Sequence, residues 1–336
     1  MTASNTATEN KSKEKKSKNP WLVWGKRLLT LAFFIAVPTL LFMLIKNLEW
    51  QEVKDALLAY KPTTLLLGAA IALGSYGVFS SYEVLGKKYI GHDIPVARIL
   101  PLGFVCYAFN LNLSALVGGI AVRYRLYTRQ GLSVATITQL ISFNMITNWL
   151  GYIILAGIIF SLRLLNLPES WKIGAAGLQV IGIVLLLVAA AYLLACAFSK
   201  KRTWKIRKHE IDLPSFKMAL TQACVAAVNW SLMGLLVFIL LPDNAFYPTV
   251  LGILLISGIA GVVTHIPAGL GVLEAIFIAM LQHEISQGEI IAALLGYRAL
   301  YYLLPLAIAC VIYLVLEKKA KDTKETKKAD KQSSSQ

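Results

Sequence analysis

Residues 114–123 read Ser114-Ala115-Leu116-Val117-Gly118-Gly119-Ile120-Ala121-Val122-Arg123, and residues 264–274 read Thr264-His265-Ile266-Pro267-Ala268-Gly269-Leu270-Gly271-Val272-Leu273-Glu274. Each is a knot of small residues inside an apolar run, and each ends in a charge. With Gly119 set on Gly269 the two read Gly-Ile-Ala-Val-Arg and Gly-Leu-Gly-Val-Leu-Glu, one in each half of the chain. In a membrane protein, Gly- or Pro-interrupted apolar segments at corresponding places in two halves point to a substrate path.

The composition is that of a membrane protein. Hydrophobic residues make up 57% of the 336 and charged residues 15%, against about 25% charged in ordinary soluble domains. Several apolar runs are long enough to cross a hydrocarbon core of roughly 30 Å. The net charge of +15 does not point to nucleic acid, because the Lys and Arg sit in short segments beside the apolar runs. That placement is a topology signal. The four cysteines, Cys106, Cys196, Cys224 and Cys310, show no C-x-x-C or metal spacing and read as buried small hydrophobes.

Working outward, residues 1–26 read as a disordered basic cytoplasmic arm and 317–336 as a disordered basic cytoplasmic tail. Full spans are expected at about 27–46, 62–82, 134–160, 174–198, 218–241 and 290–316. Residues 47–61 read as an amphipathic surface helix, 83–98 as a short polar link containing Glu83, and 199–217 as a strongly basic loop. Residues 99–122 and 249–282 are the two interrupted segments.

Charge placement decides how these two cross. If each enters and returns on one side, 27 Lys/Arg lie inside, 5 outside and Arg298 alone within a span. If 99–122 crosses once, 12 lie inside and 20 outside. The positive-inside rule selects the first arrangement. The expected fold is therefore an all-α polytopic membrane domain, 27–316, with about six full spans and two re-entrant helical hairpins. Its halves, about 27–160 and 174–316, form an inverted-topology repeat, and both termini are cytoplasmic.

Glu274 is the most informative side chain. A carboxylate at membrane depth costs a few kcal/mol or more, so it faces a partner or a wet cavity. Arg298 in the last span is the candidate partner. The pair reads either as a gate, headgroup or proton site, or as a structural lock between two helices. Pro267, Gly269 and Gly271, like Gly118 and Gly119, break helices where freed N–H groups must find partners. Helix ends there suit an anion, or the glycines serve close packing. Arg123 and Arg125 are candidates for gathering anionic lipid headgroups, and Arg129 reads as a plain anchor. Asn110, Asn112, Asn144 and Asn148 read as inter-helix hydrogen bonders or path-lining groups. His265 reads as a proton carrier or a hydrogen-bonded helix end. No catalytic constellation, metal cluster or cofactor motif is present in the sequence.

At the two motifs the chain resembles the lysylphosphatidylglycerol synthase transmembrane-region family, which includes the flippase portion of the bacterial multiple peptide resistance factor and stand-alone YbhN-like inner-membrane proteins. The segment His265 to Glu274 is similar to the family's Pro-Gly-Gly-x-Gly-x-x-Glu element, with Ala268 in place of its first Gly. Gly118, Gly119 and Arg123 are similar to its earlier Gly-Gly…Arg element. The resemblance spans about 25–316. It implies a bacterial inner-membrane lipid transporter or flippase-like protein acting on a phospholipid or polyprenyl-linked lipid. It does not imply aminoacyl transfer, which belongs to a separate soluble domain in that family. Two other readings stay open: a scaffold subunit for a lipid-synthesis enzyme, and an intramembrane enzyme on a lipid-linked substrate. The expected partners are membrane lipids with anionic headgroups, such a synthesis enzyme, or a second copy of the chain, and not nucleic acid.

Overall fold

The structure is a computed structural model that describes residues 50–113, 119–165, 167–168, 171, 174–200, 203–206, 209–242, 245–264, 266 and 269–333. The expected first span at 27–46 and the basic arm before it lie outside these residues, as do Gly118, His265, Pro267 and Ala268.

The described chain is nearly all helical. Helix α1 is Trp50–Leu58, α2 Pro62–Ile90, α3 Val96–Leu113, α4 Val122–Arg129, α5 Val134–Ser161, α6 Gly174–Phe198, α7 Phe216–Leu240, α8 Tyr247–Thr264, α9 Val272–Leu281 and α10 Gln287–Tyr297. A π-helical turn, Arg298–Leu303, joins α10 to α11, Leu304–Ser333. Strands β1, Thr203–Ile206, and β2, His209–Asp212, pair antiparallel between α6 and α7. The basic stretch 199–217 thus contains a small hairpin rather than only loop, a minor departure from an all-α chain.

Six helical segments among the described residues are long and apolar enough to cross a membrane: Pro62–Ile90, Val134–Ser161, Gly174–Phe198, Phe216–Leu240, Tyr247–Thr264 and Gln287–Lys318. Five match expected spans. The sixth, α8, is the first arm of the interrupted segment 249–282, and its 18 residues suffice to span by length and composition.

Local chemistry sets the helix ends. Pro62 starts α2 at a position whose N–H is unpaired anyway. Ser133 caps α5 by accepting from Thr136 N at 3.1 Å, and Ser215 caps α7 by accepting from Met218 N at 3.3 Å. Helix α2 runs eight residues past its expected end at 82, continuing through Gly86 and stopping only at Gly91. There the chain turns left-handed (φ 81°) and the Gly91 N–H bonds Lys87 O at 2.8 Å. The expected polar link 83–98 therefore shrinks to residues 91–95, and Glu83 lies inside a helix. At the other end, α11 continues to Ser333 beyond Leu316, where the sequence reading expects disorder; its Lys, Glu and Ala residues are good helix formers.

Helix α2 packs against α3 and α7, and α5 lies between α6 and α7. The α5–α7 contact depends on Gly151, where an added Cβ would stand 2.4 Å from the Ala226 backbone carbon. Cys106 and Cys196 are buried as expected, whereas Cys224 and Cys310 are exposed on the helix surfaces, a setting that suits lipid contact as well as it would a core.

Candidate functional site

Two carboxylate–arginine pairs organise the site, one in each half. The first to be built from sequence is Glu274–Arg298. Gly269 (φ 59°) and Gly271 (φ 78°) both take left-handed backbone, which other residues adopt only with strain. This turn points the start of α9 so that Glu274 Oε2 accepts from the Gly271 N–H at 2.8 Å, capping its own helix. The second oxygen, Oε1, accepts from Arg298 Nε at 2.7 Å, and Arg298 Nη2 reaches Gly269 O at 3.4 Å. The guanidinium also lies 5.6 Å over the Tyr302 ring. The side chains are 14% and 13% exposed, so the pair is largely desolvated yet reachable.

Arg298 opens the π turn, which leaves carbonyls out of the regular ladder. Side chains from other helices take them up. Tyr76 OH on α2 donates to Tyr301 O at 3.0 Å, and Asn112 Nδ2 on α3 donates to Tyr302 O at 3.3 Å. Irregular backbone at membrane depth needs such partners. A hydroxyl relay fastens the turn further. Ser75 has one proton and gives it to Asn229 Oδ1 at 2.8 Å, so Tyr301 OH donates to Ser75 (2.8 Å) and Tyr107 OH to Tyr301 (2.9 Å).

The second pair is Glu83–Arg123. Glu83 is 0% exposed and Arg123 10% by side chain. Besides the guanidinium, Glu83 accepts from Tyr127 OH and Asn144 Nδ2, both at 2.8 Å. Among the described residues, Arg123 Nε and Asn144 Oδ1 have no hydrogen-bond partner. Sequence reasoning missed Glu83 by assigning it to a polar link. Glu83 instead belongs to the helix that runs on to Gly91, and its buried carboxylate finds the cation it needs in Arg123.

The two motif ends are thus locked with opposite signs. Arg123 closes the first motif and meets a Glu on α2; Glu274 closes the second and meets an Arg at the π turn. Tyr76 and Glu83 lie seven residues apart on α2, and hence on one face. Since Tyr76 holds the turn that begins at Arg298, α2 links the two pairs physically.

The remaining candidates fall around this frame. Asn110 abuts Gly119, where an added Cβ would meet Asn110 Oδ1 at 2.2 Å. Asn112 and Asn144 make the inter-helix bonds given above, and the carbonyl of Asn148 accepts from Trp230 Nε1 at 3.3 Å. Arg125 and Arg129 are separate from Arg123: both pair with Glu317 on α11. Among the described residues, no three His, Cys, Asp or Glu side chains gather as metal ligands.

Comparison with known proteins adds the family. The sequence pattern described as "Lysylphosphatidylglycerol synthase TM region" matches residues 28–309. The chain is 47% identical to the inner membrane protein YbhN of Escherichia coli over 298 residues, covering 88% of this chain and 94% of that one. It is 31% identical to the Synechocystis protein slr0712, covering 77% and 81% of the two chains. It is 24% identical to the phosphatidylglycerol lysyltransferase of Staphylococcus haemolyticus, over 88% of this chain and 34% of that protein. With six segments able to span and these relatives, the protein is a multi-pass inner-membrane protein, and it belongs to the lysylphosphatidylglycerol synthase transmembrane-region family.

Proposed function

We infer that the protein translocates a membrane lipid, a phospholipid or a polyprenyl-linked lipid, with the headgroup passing between the two Gly-rich segments while the tails stay in the bilayer. The observation that carries this reading is the matched pair of locks, Glu83–Arg123 and Glu274–Arg298, tied together through Tyr76 and the π turn. A polar pair in each half of a two-half membrane domain suits alternating access, in which one lock opens while the other holds. Arg298 offers an anion site once Glu274 lets go, and Glu274 takes a proton or holds the gate. Arg123, expected to recruit headgroups, acts instead as the lock of its own half and becomes an anion site only when Glu83 releases it. In the orientation favoured by the positive-inside count, both termini are cytoplasmic, the hairpin at 99–122 opens inward and that at 249–282 outward. The relatives named as phosphatidylglycerol lysyltransferases support a phospholipid as substrate class. The match covers only 34% of that protein, so its transfer activity is not carried across.

The complete burial of Glu83 favours a second reading, in which both pairs are static and the protein scaffolds a lipid-synthesis enzyme. Reconstitution separates the two. The purified protein goes into liposomes containing fluorescent anionic or neutral phospholipids, and quencher access is followed with and without a proton gradient. Translocation predicts exchange well above empty liposomes that is lost in Glu274→Gln and Arg298→Ala variants retaining their fold. Exchange no faster than in empty liposomes, across lipids and gradients, would leave the scaffold reading.

A further inference from the structure

Near the end of the apolar part of α11, one carboxylate holds two guanidinium groups. Glu317 Oε1 accepts from Arg125 Nη2 at 2.9 Å, and Oε2 pairs with Arg129. Tyr313, one turn earlier, donates its hydroxyl to Oε1 at 2.8 Å, and the Arg125 guanidinium lies 5.8 Å over the Tyr313 ring. Three donors on two helices converge on one small anion. Two arginines against one carboxylate leave a net positive charge, and Lys318 follows directly. The Arg125 side chain is 56% exposed, so the group is open to a ligand from outside the bundle.

Two guanidinium forks and a phenol suit the oxygens of a phosphate. The surroundings choose the carrier of that phosphate. Cys310 and Leu314, seven and three residues before Glu317, share its helix face, and both are exposed. Val311 and Val315 beside them are exposed as well. An apolar strip therefore leads up α11 to the cations, at the point where the sequence changes to Lys318-Lys319-Ala320-Lys321. That order, apolar surface and then fixed cations, is the cross-section of a lipid from chain to headgroup.

We propose that Arg125, Arg129 and Tyr313 form a docking site for the phosphate of an anionic phospholipid, and that Glu317 is a built-in competitor which the phosphate displaces. The proposal rests on the lipid-handling reading and adds to it where the lipid first binds and what regulates that step. Helix α4 carries Arg123 as well as Arg125 and Arg129, so displacing Glu317 removes one tie on the helix that also bears the lock of the first half, while Arg123 and Tyr127 still hold it to Glu83.

The test measures binding without transport. Full-length protein in a neutral detergent is titrated with fluorescent phosphatidylglycerol, with inorganic phosphate and phosphatidylcholine as separate competitors. The expected result is binding that tightens about tenfold in Glu317→Gln, as a competing charge is removed. Binding should fall by a similar factor in the Arg125→Gln/Arg129→Gln double variant, and Glu317→Gln should bring no gain on that background. Glu317→Ala provides a second variant, and melting curves confirm folding. Unchanged affinity in both Glu317 variants, or in the arginine double variant, overturns the proposal. Inorganic phosphate displacing the probe as well as unlabelled phosphatidylglycerol does would overturn the lipid assignment in favour of a free-anion site. Loss of lipid exchange in liposomes with this binding pattern intact would count against translocation only.

Discussion

The Tyr76 hydroxyl on α2 donates to the backbone carbonyl of Tyr301, 3.0 Å away in the π turn that begins at Arg298. Two turns further along α2 stands Glu83, the carboxylate that holds Arg123. One helix therefore carries the carboxylate of the first ion pair and bonds the turn that begins at the arginine of the second. Tyr76→Phe removes the donor and leaves the Tyr301 carbonyl short of a partner. Unfolding in detergent should show a loss of about 1 kcal/mol, near the low end for buried bonds because hydrogen bonds within membranes average roughly 0.6 kcal/mol. Tyr301→Phe leaves the Tyr76 bond in place but cuts the relay from Tyr107 to Ser75; because the two rings meet with centroids 5.4 Å apart, the two losses should not simply add. Single variants that both unfold like the wild type would show that the turn is not held by these bonds.

The turn before α9 makes a sharper demand on backbone than on space. Around Gly269 an added Cβ meets nothing within 4 Å, yet φ is 59°, and φ at Gly271 is 78°. Gly271→Ala should destabilise by about 1–2 kcal/mol through the left-handed conformation. It should also loosen the Gly271 N–H bond to Glu274, lowering lipid exchange if that pair is the gate. Gly74→Ala on α2, where the added Cβ meets nothing within 4 Å and φ is ordinary, should stabilise by about 0.5–1 kcal/mol through helix propensity. Opposite signs for the two substitutions in one thermal-melting series would check the argument.

Glu274 and Arg298 were legible from sequence because they are nearly isolated charges in apolar territory, and isolation leaves few possible partners. Most spans were legible for the same reason, as apolar runs. Glu83 was not, because Glu83, Lys87 and Lys88 together look like a loop, whereas only Gly91 actually stops the helix. Its partner, Arg123, is 40 residues away, and nothing local encodes that meeting. The π turn was hidden for a related reason. Arg298-Ala299-Leu300-Tyr301-Tyr302-Leu303 contains no Gly or Pro, and the donors that make the turn tolerable, Tyr76 and Asn112, come from the far half of the chain. The re-entrant course of the two interrupted segments belongs to the proposal, since α8 alone is long enough to cross.

His92 lies in the short loop after α2, outside the spans. Its residue is buried, and neither ring nitrogen has a hydrogen-bond partner among the described residues. Burial, with Lys87 nearby as the second cause, lowers its pKa below the usual 6.5. The folded protein thus prefers the neutral ring, while the unfolded chain still takes up a proton near 6.5. Stability from this group is fully present above that pH and falls as the pH drops through 6.5 towards the lowered folded value. Melting temperature should therefore rise as the pH is brought up towards and through 6.5, and His92→Gln should flatten that rise. An unchanged slope in the variant would assign the pH dependence to another group.

The Glu83–Arg123 pair admits a test of whether charge, rather than shape, is what the first half needs. Glu83→Gln leaves Arg123 buried with only neutral partners, and breaking a buried pair from one side costs about 3–5 kcal/mol. Arg123→Gln strands Glu83, but Tyr127 and Asn144 still donate to it, so the loss should be smaller. Replacing both, as Glu83→Gln/Arg123→Gln, removes the charges together and should recover much of the stability, because pairs of buried ions are often replaceable by neutral groups at little net cost. If the pair is only a brace, lipid exchange in liposomes recovers along with stability. If it is a lock that must open and close, the double variant should melt near wild type and yet exchange lipid with altered rate, since neutral groups no longer switch between holding each other and holding an anion. A double variant that is both stable and fully active would remove Glu83 and Arg123 from the transport cycle and leave Glu274–Arg298 as the sole gate.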